Sequence, residues 1–215
     1  MRSPSRLIVI VAILSLFALT ALVAVYGFTQ QADAELALIM NADGGETFTA
    51  LMTLISQLGR EHVWLPLVVL MFVLGNRNAR ILAIELAILL LIGAVLGQAL
   101  KTSVERSRPF EAVPGIVLRA DASEGSSFPS GHALTVSIGA VFSLLRFRRI
   151  FSLPLTIEAV MVCYSRVYLG VHYPLDVFAG IVLGVSITLL GLYAVERYAR
   201  GGIETFASAL ERRFH

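Results

Sequence analysis

The sequence predicts an all-α membrane protein: six transmembrane helices in a bundle, with a short interfacial helix between the first and second spans. Three observations carry this. Hydrophobic residues make up 57% of the 215-residue chain and charged residues only 15%, against roughly 25% charged in an ordinary soluble domain. Mean hydropathy is +0.80. The apolar residues fall in runs close to the ~20 residues that a bilayer-spanning helix needs. A water-facing globule could not hide that much apolar surface, so the bilayer is the natural solvent for the excess.

The first span is Leu7 to Phe28, an uncharged run of 22 residues that follows Arg2 and Arg6. It exceeds the roughly 7–15-residue apolar stretch of a cleaved signal and has no clear small-x-small site after it, so it reads as retained. Phe48, Leu51, Met52, Ile55 and Leu58 recur at helical spacing. They predict an amphipathic helix lying at the interface, with an early start to the second span as an equal alternative. The second span is centred on Val63 to Leu74 and is short, with Pro66 inside it. Trp64 stands where an interfacial anchor would stand, and His62 reads as a second interface residue. Ala79 to Leu100 is the third span, Ser130 to Leu145 the fourth, Ile150 to Tyr168 the fifth and Pro174 to Val195 the sixth. No internal repeat, low-complexity tract or linker divides the chain, which predicts a single membrane-embedded domain over residues 1–215.

Loop charges orient the bundle. Arg2, Arg6, Arg77, Arg80, Arg146, Arg148, Arg149, Arg197, Arg200, Arg212 and Arg213 all fall on one side, eleven of the 17 basic residues. The positive-inside rule places that side, and both termini, in the cytoplasm of a cytoplasmic-membrane protein. The other side holds Asp33, Glu35, Asp43 and Glu46, and the polar segment from Lys101 to Phe128.

Several function classes drop out. A formal net charge of +2, with no basic stripe interleaved with aromatics, argues against nucleic acid as a partner. The lone Cys163 rules out an intrachain disulfide and a cysteine-cluster metal site, and reads as a small buried hydrophobe. Gly93 with Gly97, and Gly180 with Gly184, each form a G-x-x-x-G pattern. Packing between helices of one chain is the preferred reading over a dimer seam, and monomer or homodimer stays open. Glu85 and Glu158 are intramembrane carboxylates, costly unless paired or protonated, and are expected to be structural.

Polar residues gather at three places, all on the predicted outer side. Lys101-Thr-Ser-Val-Glu-Arg-Ser-Arg108-Pro109 follows the third span, Phe128-Pro129-Ser130-Gly131-His132 precedes the fourth, and Ser165-Arg166 with His172 and Asp176 spans the turn from the fifth to the sixth. Any one cation here is accounted for as a snorkelling side chain. Together, Lys101, Arg108 and Arg166 suit an oxyanion: arginine forks match phosphate oxygens and lysine adds a point charge. Ser130 is a good helix N-cap, Gly131 leaves room for a ligand against the backbone, and a helix N-terminus favours phosphate. His132 falls in the first turn of that helix. His172 and Asp176 are four residues apart and share a face if the stretch is helical, although Pro174 argues that the helix begins just there. A carboxylate on one imidazole nitrogen leaves the other free as a nucleophile.

The pattern K-x₆-R-P, then P-S-G-H, then S-R-x₅-H-x₃-D resembles the signature of the type 2 phosphatidic acid phosphatase superfamily. It matches at every position over about 75 residues, from Lys101 to Asp176, and the membrane spans make the chain similar to the lipid phosphatase branch. The resemblance implies that His172 attacks phosphorus and becomes a phosphohistidine, that Asp176 orients it, and that His132 protonates the leaving oxygen. It implies that Lys101, Arg108, Ser130, Gly131 and Arg166 hold the phosphoryl group, with no metal and no cofactor. The expected substrate is a lipid phosphate or diphosphate, such as undecaprenyl diphosphate, phosphatidylglycerol phosphate or phosphatidate, met at the extracytoplasmic face. Phosphotransfer to a second lipid, and non-catalytic phospholipid binding or translocation, are the alternatives.

Overall fold

A computed structural model describes residues 18, 30–121 and 125–214; the predicted first span lies outside the described residues. These residues are helical, with no strand among them. The helices are α1 (Gln30–Met40), α2 (Gly45–Leu74), α3 (Arg77–Val104), α4 (Pro109–Ala112), α5 (Gly131–Arg146), α6 (Arg149–Tyr168), α7 (Pro174–Ala194) and, after a π-helical turn at Val195–Ala199, α8 (Arg200–Phe214). Four helical stretches, Gly45–Leu74, Arg77–Ala112, Arg149–Tyr168 and Pro174–Ala209, are long and apolar enough to cross a membrane.

Of the two readings of the Phe48 to Leu58 pattern, the early start to the second span is the one observed. Phe48 to Leu58 belongs to the first half of α2, which continues unbroken for 30 residues through Pro66. At 1.5 Å per residue that is about 45 Å, enough to cross a bilayer with some tilt. The amphipathic pattern reflects packing, not an interface. Met52, Ser56, Gly59 and Trp64 form the buried face, while Leu51, Leu54, Leu58 and Leu65 face outward. The short helix before the second span is instead α1, which buries Asp33 and Ala37, with Asn41 following on the same face.

Trp64 is a second correction. It is fully buried, its indole lying against Gly139 of α5, where a Cβ would have no room. Local hydropathy placed it at a membrane edge; the gap left by a glycine on another helix drew it inside.

Helix α5 is the hub. It packs most extensively on α7 and α6, and also on α3 and α2. It has 16 residues, about 24 Å of helix against a hydrocarbon core of ~30 Å. Neighbouring helices surround it, so its buried residues run from Ala133 to Ser143. Glycines allow the close approach. A Cβ on Gly180 of α7 would lie 2.6 Å from the Ser130 carbonyl oxygen, and one on Gly184 would lie 2.8 Å from that of Leu134. Gly93 and Gly97 of α3 face Ile138 and Leu134 in the same way. Both G-x-x-x-G patterns therefore serve packing within the chain. At the far end from the polar segments, Arg146 closes the bundle by pairing with Glu85 at 3.3 Å and Glu196 at 3.2 Å. Glu158 has neither carboxylate oxygen hydrogen-bonded. Cys163 is buried, as expected.

Candidate active site

The three polar segments converge on one cavity of about 710 Å³. Lys101, Arg108, Gly131, His132, Arg166 and His172 all line it. The fold explains each placement. Lys101 occupies the last turn of α3, and Arg108 caps the short helix α4. Gly131 and His132 open α5, while Arg166 ends α6. His172 sits in the tight connection between α6 and α7, where Gly170 takes a positive φ of 79°.

The loops are fastened so that the cations point inward. Lys101 Nζ donates to the Ser126 carbonyl at 2.7 Å. Arg108 Nε donates to the Gly125 carbonyl at 3.1 Å, and its Nη1 to the Val171 carbonyl at 3.0 Å. Arg166 Nη1 donates to Ser56 Oγ on α2 at 2.5 Å, while its Nε is buried with no hydrogen-bond partner. A buried donor of this kind, on the wall of a cavity, suits an arriving oxyanion. Glu111 of α4, and Gly125 and Ser126 ahead of α5, also line the cavity.

Two of the predicted site residues stand behind the wall. Ser130 is fully buried; its hydroxyl caps α5 by accepting the Ala133 N–H at 3.4 Å, and its own N–H donates to the Asp176 carbonyl at 3.0 Å. Asp176 is also fully buried. His172 and Asp176 do not share a helical face, because α7 begins at Pro174 and Tyr173 is its N-cap. They are brought together by capping: Asp176 Oδ2 accepts the Tyr173 N–H at 2.9 Å and lies 3.6 Å from His172 Nδ1. Burial pushes the His172 imidazole down to about 4, with Asp176 opposing that shift. The ring is therefore neutral near pH 7, the form a nucleophile requires.

Sequence reasoning missed four contributors, Arg60, Ser56, Arg106 and Asp33. Arg60 of α2 lines the cavity beside the signature residues. Ser56 holds Arg166. Arg106, a variable position of the first motif, bonds both Asp176 and Asp33 of α1. None belongs to a local pattern in its own stretch of sequence, and only Arg106, inside the K-x₆-R-P segment, could have been singled out. Among the described residues no group of three or more His, Cys, Asp or Glu is arranged to hold a metal ion.

A fold of long apolar helices around one histidine-bearing, cation-lined cavity defines a membrane enzyme acting on phosphorylated lipids. The chain belongs to the PAP2 superfamily, whose family model matches residues 81–200. It is similar to an undecaprenyl-diphosphatase of Sulfolobus acidocaldarius, 41% identical over 74% of this chain and 76% of that one. It also resembles phosphatidylglycerophosphatase B of Bacillus subtilis, 33% identical over 65% of this chain and 71% of that one. The crystal structure of a transmembrane PAP2-type phosphatidylglycerolphosphate phosphatase from Bacillus subtilis shares the fold, with a TM-score of 0.71, 24% identity, and coverage of 89% of this chain and 98% of that chain. That of Aquifex aeolicus LpxE gives a TM-score of 0.65 at 26% identity, covering 74% of this chain and 93% of that chain. The protein is an integral membrane lipid phosphatase, a hydrolase.

Proposed function

We propose that the protein hydrolyses the terminal phosphate of a polyprenyl diphosphate at the outer face of the cytoplasmic membrane, through a phosphohistidine and without a metal ion. The observation that carries this reading is the opening of both imidazoles, His172 and His132, onto one cavity together with Lys101, Arg108 and Arg166. Nothing in a passive lipid-binding site would call for a neutral buried imidazole backed by a carboxylate.

The steps follow from the placement. With Asp176 at Nδ1, the Nε2 lone pair of His172 attacks phosphorus as the bond to the leaving oxygen breaks. His132 gives that oxygen its proton. Water then attacks the phosphohistidine, His132 takes the water's proton, and inorganic phosphate leaves with His172 regenerated. Lys101, Arg108, Arg166, the Gly131 N–H and the α5 N-terminus stabilise the charge on the equatorial oxygens. Ser130 fixes that helix end from behind. This set of cations supplies the stabilisation a metal would otherwise give, and its positive field disfavours a cation in the cavity.

The polyprenyl diphosphate is favoured by the 41% identity to an undecaprenyl-diphosphatase; phosphatidylglycerol phosphate and phosphatidate are the other members of the substrate class. The arginine bias of the loops opposite the cavity supports an extracytoplasmic site, and the shared hub of α5 supports a single domain. The test is phosphate release by detergent-purified protein across the three lipids, each with and without a chelator. Release fastest from the diphosphate and unchanged by chelation is expected. Activity that disappears with chelator and returns with magnesium would contradict the mechanism, and preference for a monophosphate would replace the substrate.

A further inference from the structure

We propose that Asp33, on the short helix that precedes the second span and outside the matched family region, is a positioning residue for the reaction: it acts through Arg106 on Asp176, and through Asp176 on His172.

The contacts form one continuous chain. Arg106 Nη2 donates to Asp33 Oδ2 at 2.6 Å, and Arg106 Nη1 donates to Asp176 Oδ1 at 2.5 Å. Both ends of the guanidinium fork are therefore occupied by carboxylates. Although Arg106 borders the cavity, neither terminal nitrogen is turned to a phosphoryl oxygen. Its plane is fixed further by the Tyr173 ring, 4.0 Å from the guanidinium carbon. Asp176 is thus held at both oxygens: Oδ1 by Arg106, and Oδ2 by the Tyr173 N–H, which leaves Oδ2 beside His172 Nδ1.

Asp33 has a second contact that ties this network to the start of α7. Its Oδ1 accepts the Leu175 N–H at 3.0 Å. The first N–H groups of a helix need outside acceptors, and the N-cap Tyr173 makes no side-chain cap bond. Asp33 supplies the acceptor from 142 positions away. One carboxylate therefore sets both the orientation of Arg106 and the position of the turn that carries Asp176. Groups facing Asp176 are His172, Arg106 and Tyr173, with Lys101, Arg108 and Asp33 further off; His172 faces Asp176, Arg166, Lys101 and His132; and Asp33 faces Arg106, Asp176 and the α7 N-terminus.

The physical consequence has a sign. Asp33 compensates much of the Arg106 charge. Without that compensation Arg106 draws more strongly on Asp176, the carboxylate supports imidazolium on His172 less well, and His172 becomes a weaker base and nucleophile. The acid limb of kcat/KM then moves to lower pH while kcat falls. KM changes little, because the cations that hold the phosphoryl group are untouched.

The inference rests on His172 being the nucleophile, and the experiment separates the two. Full-length Asp33→Asn, which keeps an oxygen for the Leu175 N–H but removes the charge, is compared with wild type, Asp33→Glu, Arg106→Lys and Asp33→Asn/Arg106→Lys, with His172→Ala as reference. Expected are a kcat reduced roughly tenfold in Asp33→Asn, on the scale of losing an outer partner elsewhere, with KM within about twofold and the acid limb displaced to lower pH. Partial rescue by Asp33→Glu is expected, and a double variant no worse than Arg106→Lys alone, the signature of two residues acting as one unit. An unchanged pH limb with additive losses, or a wild-type kcat in Asp33→Asn, overturns the inference. Should Asp33→Asn fold poorly, Arg106→Lys with its pH limb decides alone: an unmoved limb counts against the proposal. An active His172→Ala would overturn the reading of the nucleophile instead.

Discussion

The region matched by the family model, residues 81–200, and the segment before it, residues 30–74, contribute to the same cavity in different ways. The first provides the cavity-lining groups that the proposed reaction uses: Lys101, Arg108, Gly131, His132, Arg166 and His172. The second provides the groups that hold those in place. Ser56 fixes Arg166, Asp33 fixes Arg106 and the start of α7, and Trp64 fills the gap at Gly139 of the central helix. Asn41 bridges two further segments. Its amide nitrogen donates to the Val117 carbonyl at 2.9 Å and the Tyr168 carbonyl at 2.7 Å, and its amide oxygen accepts the Val117 N–H at 2.8 Å. The signature residues of the proposed chemistry thus all come from the first region, while the second adds Arg60 to the cavity wall and otherwise supplies positioning contacts.

Disrupting the patterned region is expected to do the most damage. Gly180→Leu places a branched side chain where α7 meets the Ser130 carbonyl, and should cost about 3 kcal/mol, the upper range for overpacking a tight site. It should also separate Asp176 from the α5 N-terminus. Thermal melting and phosphate release in detergent check this; a variant with wild-type stability and rate would show that the helix contact is looser than the geometry states. Asn41→Ala removes the partner of the half-buried Val117 carbonyl and N–H, and leaves the buried Tyr168 carbonyl with only the longer bond from Arg119 at 3.3 Å, and should cost about 1–2 kcal/mol. Its kcat per folded molecule should stay within a few-fold of wild type, since Asn41 touches nothing on the cavity wall. A large kcat loss in a well-folded protein would erase the proposed division of labour.

The smallest effect concerns protons. His172 is held near 4 in the folded protein and titrates near 6.5 once unfolded. Below about pH 6.5 the unfolded chain takes up a proton that the folded chain refuses until about pH 4. Stability therefore falls as pH drops through that window and levels off beneath it. Melting temperatures from pH 7.5 to 4.5 should show a downward slope that His172→Gln reduces. An equal slope in the variant would assign it to other groups.

Much of this was legible before any coordinates. The long apolar runs fixed α3, α6 and α7 to within a few residues, because bilayer-facing helices advertise themselves by composition. The three motifs supply six residues of the cavity wall, Lys101, Arg108, Gly131, His132, Arg166 and His172, because each motif is legible within its own stretch of sequence. What failed was whatever depended on a partner far away in sequence. The amphipathic pattern from Phe48 to Leu58 was real, but its buried face packs on other helices. Trp64 looked like an edge residue because the space made by Gly139 is 75 positions away. Asp33 looked like an ordinary outer-loop acid, since its partners at Arg106 and Leu175 lie in different segments. His172 and Asp176 were paired correctly for a partly wrong reason: the capping of α7, not a common helical face, aligns them.

The central claim is that His172 forms a bond to phosphorus. Rapid acid-free quenching of purified protein during turnover of polyprenyl diphosphate labelled with ³²P in its terminal phosphate should trap protein-bound label. That label should survive alkali, be lost in acid, map to the peptide containing His172, and be absent from His172→Ala. Steady turnover with no labelled protein at any time point, or label on a peptide lacking His172, would contradict the account.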